Sequence, residues 1–158
     1  MANVVKRTLI AAIILFFLVL MLGQVLMPIV AQDVAHEYPE VSNLVTPYLV
    51  LGIVTLACFQ IAAIILCIIL ARSGKSVFFT SATRVLLLSM CMLCVVGSII
   101  PAGAATHLLV AMNAGGFPVI LSLTVSIVAA IGFACIAYIA ARTFDKARAD
   151  HEELEAVI

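Results

Sequence analysis

The residues best equipped for chemistry lie in the stretch DVAHEYPE, residues 33–40, which sets Asp33, His36, Glu37 and Glu40 between two long apolar runs. On a helix these four fall at i, i+3, i+4 and i+7, a single face, where an imidazole and carboxylates can hold a divalent metal or attract a cationic peptide. His107, near the end of the third apolar run, would add a fifth ligand. Helical spacing alone is a weak metal signature, and Pro39 disfavours helical geometry at Tyr38.

Two further patterns carry less chemistry than their residue types suggest. Cys91 and Cys94 form a C-x-x-C, which suits a membrane thiol oxidoreductase. All five cysteines (58, 67, 91, 94 and 135) lie inside apolar runs, however, and Cys91 sits about 10 Å within its run at a rise of about 1.5 Å per residue. Thiols in such surroundings are inert, and helix packing is the expected role. Gly74-Lys75-Ser76 resembles the end of a phosphate-binding loop, but that loop needs a glycine where Ile69 stands. No strand precedes it, so nucleotide binding is not expected.

The elements that must position these residues follow from composition. Of 158 residues 66% are apolar and only 10% charged, with a mean hydropathy of +1.33. A soluble chain would be about a quarter charged, so this is expected to be an integral membrane protein. Four apolar runs, residues 9–30, 47–71, 85–109 and 118–141, each exceed the roughly 20 residues that a helix needs to cross a bilayer core of about 30 Å. Lipid cannot satisfy free backbone groups, so each run should be a helix. The expected fold is an all-α four-transmembrane-helix bundle forming one domain over residues 1–158. The first run begins after Lys6 and Arg7, as a secretory signal does, but it is longer than the roughly 7–15 residues of a signal core, so a retained span is expected.

Charge sets the expected orientation. Lys6 and Arg7 precede the first run, Arg72, Lys75 and Arg84 bracket the second connection, and Arg142, Lys146 and Arg148 follow the fourth run. The first and third connections hold no Lys or Arg. By the positive-inside rule both termini are cytoplasmic in a bacterial plasma membrane, and the acidic stretch faces outward. A short outer loop is hydrophilic in any case, with Tyr38 and Tyr48 as interface anchors, and that is the plainer account of DVAHEYPE. The formal net charge of zero gives no overall case for nucleic acid.

No charged residue lies within any run, which speaks against a proton-coupled transporter. Gln60 and Gln24 are the strongest polar groups there. Gln60 is expected to bond to a neighbouring helix, a contribution of about 0.6 kcal/mol. Ser122, Ser126, Ala130 and Ala134 recur every four residues and offer a smooth packing stripe. Gly97, Pro101 and Gly103 suggest a kink in the third span. Gly74 would stop the second helix, with Thr80 or Ser81 capping the third. The tail 142–158 extends the fourth helix into the cytoplasm. Phe144, Ala147, His151, Leu154 and Ile158 follow 3-4-3-4 spacing there, a seam that a partner or the inner loop would cover.

The outer loop HEYPEVSNLVTPYLV, the inner loop GKSVFFTSATR and the ending HEELEAVI together resemble the four-span bacterial membrane family known as domain of unknown function 2975, particularly its actinobacterial members. The resemblance covers nearly the whole chain and implies an inner-membrane protein, with no catalytic residues or cofactor to carry over. The expected role is therefore a non-enzymatic accessory or interaction protein, packing on the bilayer's larger complexes or on itself. The alternative is an ion or small-molecule protein with a site at the outer helix ends, built from Asp33, His36, Glu37 and His107. A thiol oxidoreductase comes third.

Overall fold

The computed structural model describes residues 2–37, 42–72, 80–112 and 116–156. They form four helices: α1 (Ala2–Glu37), α2 (Ser42–Arg72), α3 (Ser81–Val110) and α4 (Phe117–Ala156). All four are long and apolar enough to cross a membrane. The chain is a multi-pass membrane protein, its environment the lipid bilayer.

Each helix outruns its apolar stretch. Hydrophobicity marks where lipid begins, whereas backbone hydrogen bonding carries the helix on until a breaker intervenes. α1 is described to Glu37, and Pro39 lies outside the described residues. α3 starts after Thr80, which sits in extended backbone (φ −94°, ψ 156°) and whose carbonyl accepts the Thr83 and Arg84 amides. Gly116 does the same for α4 through Val119 and Ile120, with Pro118 in the first turn, where its missing N–H costs no bond. The Gly74 stop expected after α2 lies outside the described residues; α2 ends at Arg72.

α3 runs as one helix through Gly97, Pro101 and Gly103. Pro101 brings no N–H to the Gly97 carbonyl, so the local ladder is one bond short. Hydroxyls inside the apolar helices bond back to their own backbone: Thr55 to the Leu51 carbonyl, Ser98 to Cys94, Thr106 to Ala102 and Thr124 to Ile120. Such bonds remove a polar group from lipid without any partner helix.

The helices stand in chain order. α1 packs on α2, α2 on α3 and α3 on α4, and among the described residues no other pair of helices brings its backbones close, although side chains such as Phe59 of α2 and Phe133 of α4 reach further. The bundle is an open row whose edge helices, α1 and α4, do not meet. α2 and α3 approach closely at Gly97, where a Cβ would stand 3.2 Å from both the Cys58 Cβ and the Phe59 ring. On α4 the side turned to α3 follows 3-4 spacing: Val119, Leu123, Ser126, Ala130, Phe133 and Ala137, continuing to Phe144. Ser126 is buried and Ala130 half-buried, but Ser122 and Ala134 are exposed. A strict four-residue repeat drifts by about 40° per step on a helix of 3.6 residues per turn, so the expected stripe winds off the joint at both ends.

Where α3 begins, Thr83 is the most deeply buried side chain among the described residues, 1% exposed, with its hydroxyl 3.4 Å from that of Thr80. Beside it Arg84 Nε donates to Asp145 Oδ1 at 2.7 Å and Nη2 to Oδ2 at 3.1 Å, a two-pronged tie from α3 to α4. Both side chains are nearly half exposed, so salt screens the pair. This end, with Lys6, Arg72 and Arg142, is the basic end of the row; Asp33, Tyr48 and His107 mark the acidic end.

Candidate functional site

α1 carries Asp33 and His36 as exposed side chains in its final turns, and Glu37 as its last residue. The Glu37 side chain and all of Glu40 lie outside the described residues. His107, the expected fifth ligand, is on α3, and among the described residues the backbones of α1 and α3 do not pack together. Its described partner is on α2: the Tyr48 hydroxyl lies 2.6 Å from His107 Nδ1, with ring centroids 6.2 Å apart. Among the described residues no three or more His, Cys, Asp or Glu come together to hold a metal ion.

The Tyr48–His107 pair joins α2 and α3 beside a cavity of about 330 Å³. All four helices line it: Met27 from α1, Tyr48, Gly52 and Thr55 from α2, Pro101 and Ala104 from α3, Pro118 and Ser122 from α4. Its wall is hydrocarbon broken by three hydroxyls, and that of Thr55 is already spent on Leu51. Pro101, with its small neighbours Ala104 and Ala105, leaves the space open on the α3 side.

Half-way along the row, Gln60 Nε2 donates to Gln24 Oε1 at 3.2 Å, and Gln24 Nε2 donates to the Ile53 carbonyl at 3.3 Å. The chain of amides ties α1 to α2 and satisfies Gln60, which is only 8% exposed. Gln60→Leu strips the donor from Gln24 and is expected to cost about 0.6–1.7 kcal/mol. Unfolding titration in micelles measures it, and the double variant Gln24→Leu/Gln60→Leu should recover part of the loss, because no amide is then left unpaired in lipid.

Towards the basic end a second cavity, of about 400 Å³, touches Ile13, Phe59, Ala62, Cys91, Cys94 and Phe133, and again all four helices contribute. Phe59 of α2 reaches over to Phe133 of α4, centroids 6.1 Å apart and tilted by 49°. All five cysteines are free thiols, with Cys91 buried. Phe144, expected to meet a partner, is buried in the chain itself at 7% exposure. The Leu154 side chain and Ile158 lie outside the described residues.

The sequence pattern paired His107 with acids on α1 and treated Tyr48 as an anchor. Two signals pointed the other way: short connections make α2 and α3 neighbours, and an imidazole near lipid needs a polar partner.

The family described as Protein of unknown function (DUF2975) matches residues 29–158, from the last turns of α1 through the rest of the chain. The chain belongs to that family. The DUF2975 match takes in α2, α3 and α4, and with them the lining of both cavities except its α1 residues. No curated protein and no solved structure matches the chain. Membership carries no reaction with it, so the reading of function rests on the geometry.

Proposed function

We propose that this DUF2975 protein is a non-enzymatic accessory or interaction subunit of a bacterial plasma membrane, a single four-span domain that packs on a larger membrane protein complex or on copies of itself. The observation that supports this is the open row: among the described residues α1 packs its backbone closely on α2 alone and α4 on α3 alone, leaving between them an apolar concavity that all four helices line. A four-helix chain that worked alone would ordinarily close that face, because helix–helix packing is the main attraction available in lipid. In this reading both termini and the 73–79 connection face the cytoplasm, and α4 continues past the bilayer as a tail.

Extraction of the tagged protein from its own membrane in mild detergent, native electrophoresis and mass spectrometry test the proposal. A stoichiometric companion or a homo-oligomer is expected. A monodisperse monomer would sink it. Orientation has its own test: single cysteines replacing Asn43 and Ala149 in a cysteine-free background should react with a membrane-impermeant maleimide in intact cells at position 43 only.

A second reading, small-molecule binding at the outer helix ends, is favoured by one observation, the cavity beside Tyr48 and His107.

A further inference from the structure

The side of α4 turned away from α3 carries a pattern of its own. Val128, Ile131, Cys135, Tyr138, Arg142 and Lys146 follow one another there at intervals of three or four, and all six are exposed. Buried Phe144 stands about 200° round the helix from Arg142 at 3.6 residues per turn, so this line looks away from the row. Ile131 to Arg142 spans about 16 Å at about 1.5 Å per residue, close to the roughly 15 Å of hydrocarbon in one leaflet. Its chemistry runs in the order of a phospholipid laid lengthwise: hydrocarbon, then an aromatic ring, then a cation. The Arg142 guanidinium lies over the Tyr138 ring, 5.2 Å from the centroid. Stacking of this kind leaves the fork of N–H donors pre-oriented for phosphate oxygens. Among the described residues no carboxylate is within ion-pair distance of Arg142, since Asp145, three residues on, gives both oxygens to Arg84. Lys146 follows one turn further along, but Asp150 lies at i+4 from it, so Arg142 carries the assignment.

We propose that this line seats one anionic phospholipid, its phosphate on the Arg142 guanidinium beside Tyr138 and an acyl chain along Cys135, Ile131 and Val128. A zwitterionic lipid brings its own cation next to the phosphate and so offers Arg142 less net charge. Free phosphate would leave the apolar part of the line uncovered, which makes a lipid the occupant. None of the six residues lines either cavity, so the inference rests on neither reading above. The site is complete within one chain, and purified protein suffices to test it.

Phosphatidylglycerol and phosphatidylcholine with the same acyl chains make the test. Each is titrated into the full chain in a non-ionic micelle, and bound lipids are counted by native mass spectrometry. Phosphatidylglycerol should bind about fivefold tighter. Arg142→Ala should erase most of that preference, whereas Arg142→Lys should keep it and bind both lipids more weakly, because an ammonium lacks the fork. Tyr138→Leu, which preserves the apolar surface, should weaken phosphatidylglycerol about twofold to fivefold. Arg7→Ala removes an exposed cation from α1, two helices away from α3 and its partner α4, and should leave the preference as it was. Equal losses at Arg7 and Arg142 would reduce the effect to the diffuse attraction of a basic end and overturn the site, as would equal binding of the two lipids. Displacement by soluble glycerol 3-phosphate as readily as by lipid would overturn the lipid assignment in favour of a free phosphate group.

Discussion

Gly97→Leu is expected to cost about 3 kcal/mol of stability, at the upper end for overpacking. A Cβ there meets the Cys58 Cβ at 3.2 Å, an atom one bond from the α2 backbone that no rotamer change can move. The other obstacle is the Phe59 ring at 3.2 Å, which already rests against Phe133. Relief therefore has to come from separating α2 and α3. Gly97→Ala needs a shift of only a few tenths of an ångström and should cost about 1 kcal/mol. Gly103→Ala, where a Cβ meets nothing within 4 Å, should be neutral or stabilising by up to about 1 kcal/mol, since Ala is the better helix former. Unfolding titrations of the three variants in one micelle check the order. Equal losses at 97 and 103 would mean that α2 and α3 do not approach at Gly97.

The same joint carries the acidic-end site. Tyr48 and His107 stand on the two helices that Gly97 lets together, so a wedge at position 97 should also lengthen their 2.6 Å contact. Nitrogen shifts of the His107 ring would register its loss without any activity assay.

How much of this was written in the sequence differs from feature to feature, for physical reasons. The four spans were legible because every apolar run exceeds the bilayer's thickness and lipid forbids any other backbone arrangement. Helix ends were not: α2 begins at Ser42, five residues before the apolar run at Pro47, since polar residues outside lipid keep forming helix. Gln60 could be recognised as a residue needing a partner, yet Gln24 could have been chosen from sequence only with the α1–α2 register in hand. The open row left no trace in composition. Hydrocarbon facing lipid and hydrocarbon facing helix are chemically alike, so exposed Val125, Val128 and Ile131 of α4 read no differently from its buried joint. Spacing was the usable signal, and the alternating 3-4 pattern through Leu123, Ser126, Ala130 and Phe133 carried it better than the four-residue stripe.

Phe144→Ala is the second large effect and bears most directly on function. Phe144 continues that 3-4 pattern of α4 and is 7% exposed within a single chain, one residue from the Asp145 that holds Arg84. Removing the buried ring leaves a void next to the Asp145 tie to α3, and a loss of about 3 kcal/mol is expected for the isolated protein. With the joint loosened, the tail beyond Asp145 should also become more sensitive to added protease. A residue that served chiefly to grip a partner would behave otherwise: the isolated chain would keep its stability, and only co-purification would suffer. Leu154→Ala provides the comparison, because it lies on the same spacing ten residues further along α4, well past the level at which Arg84 ties α3 to Asp145. A stability loss at 144 with none at 154, and a partner loss at 154, would divide the last helix into a part that holds the row together and a part that reaches outward. The reverse pattern would remove the tail from the proposed contact surface and leave the open concave face as the place where this protein meets others.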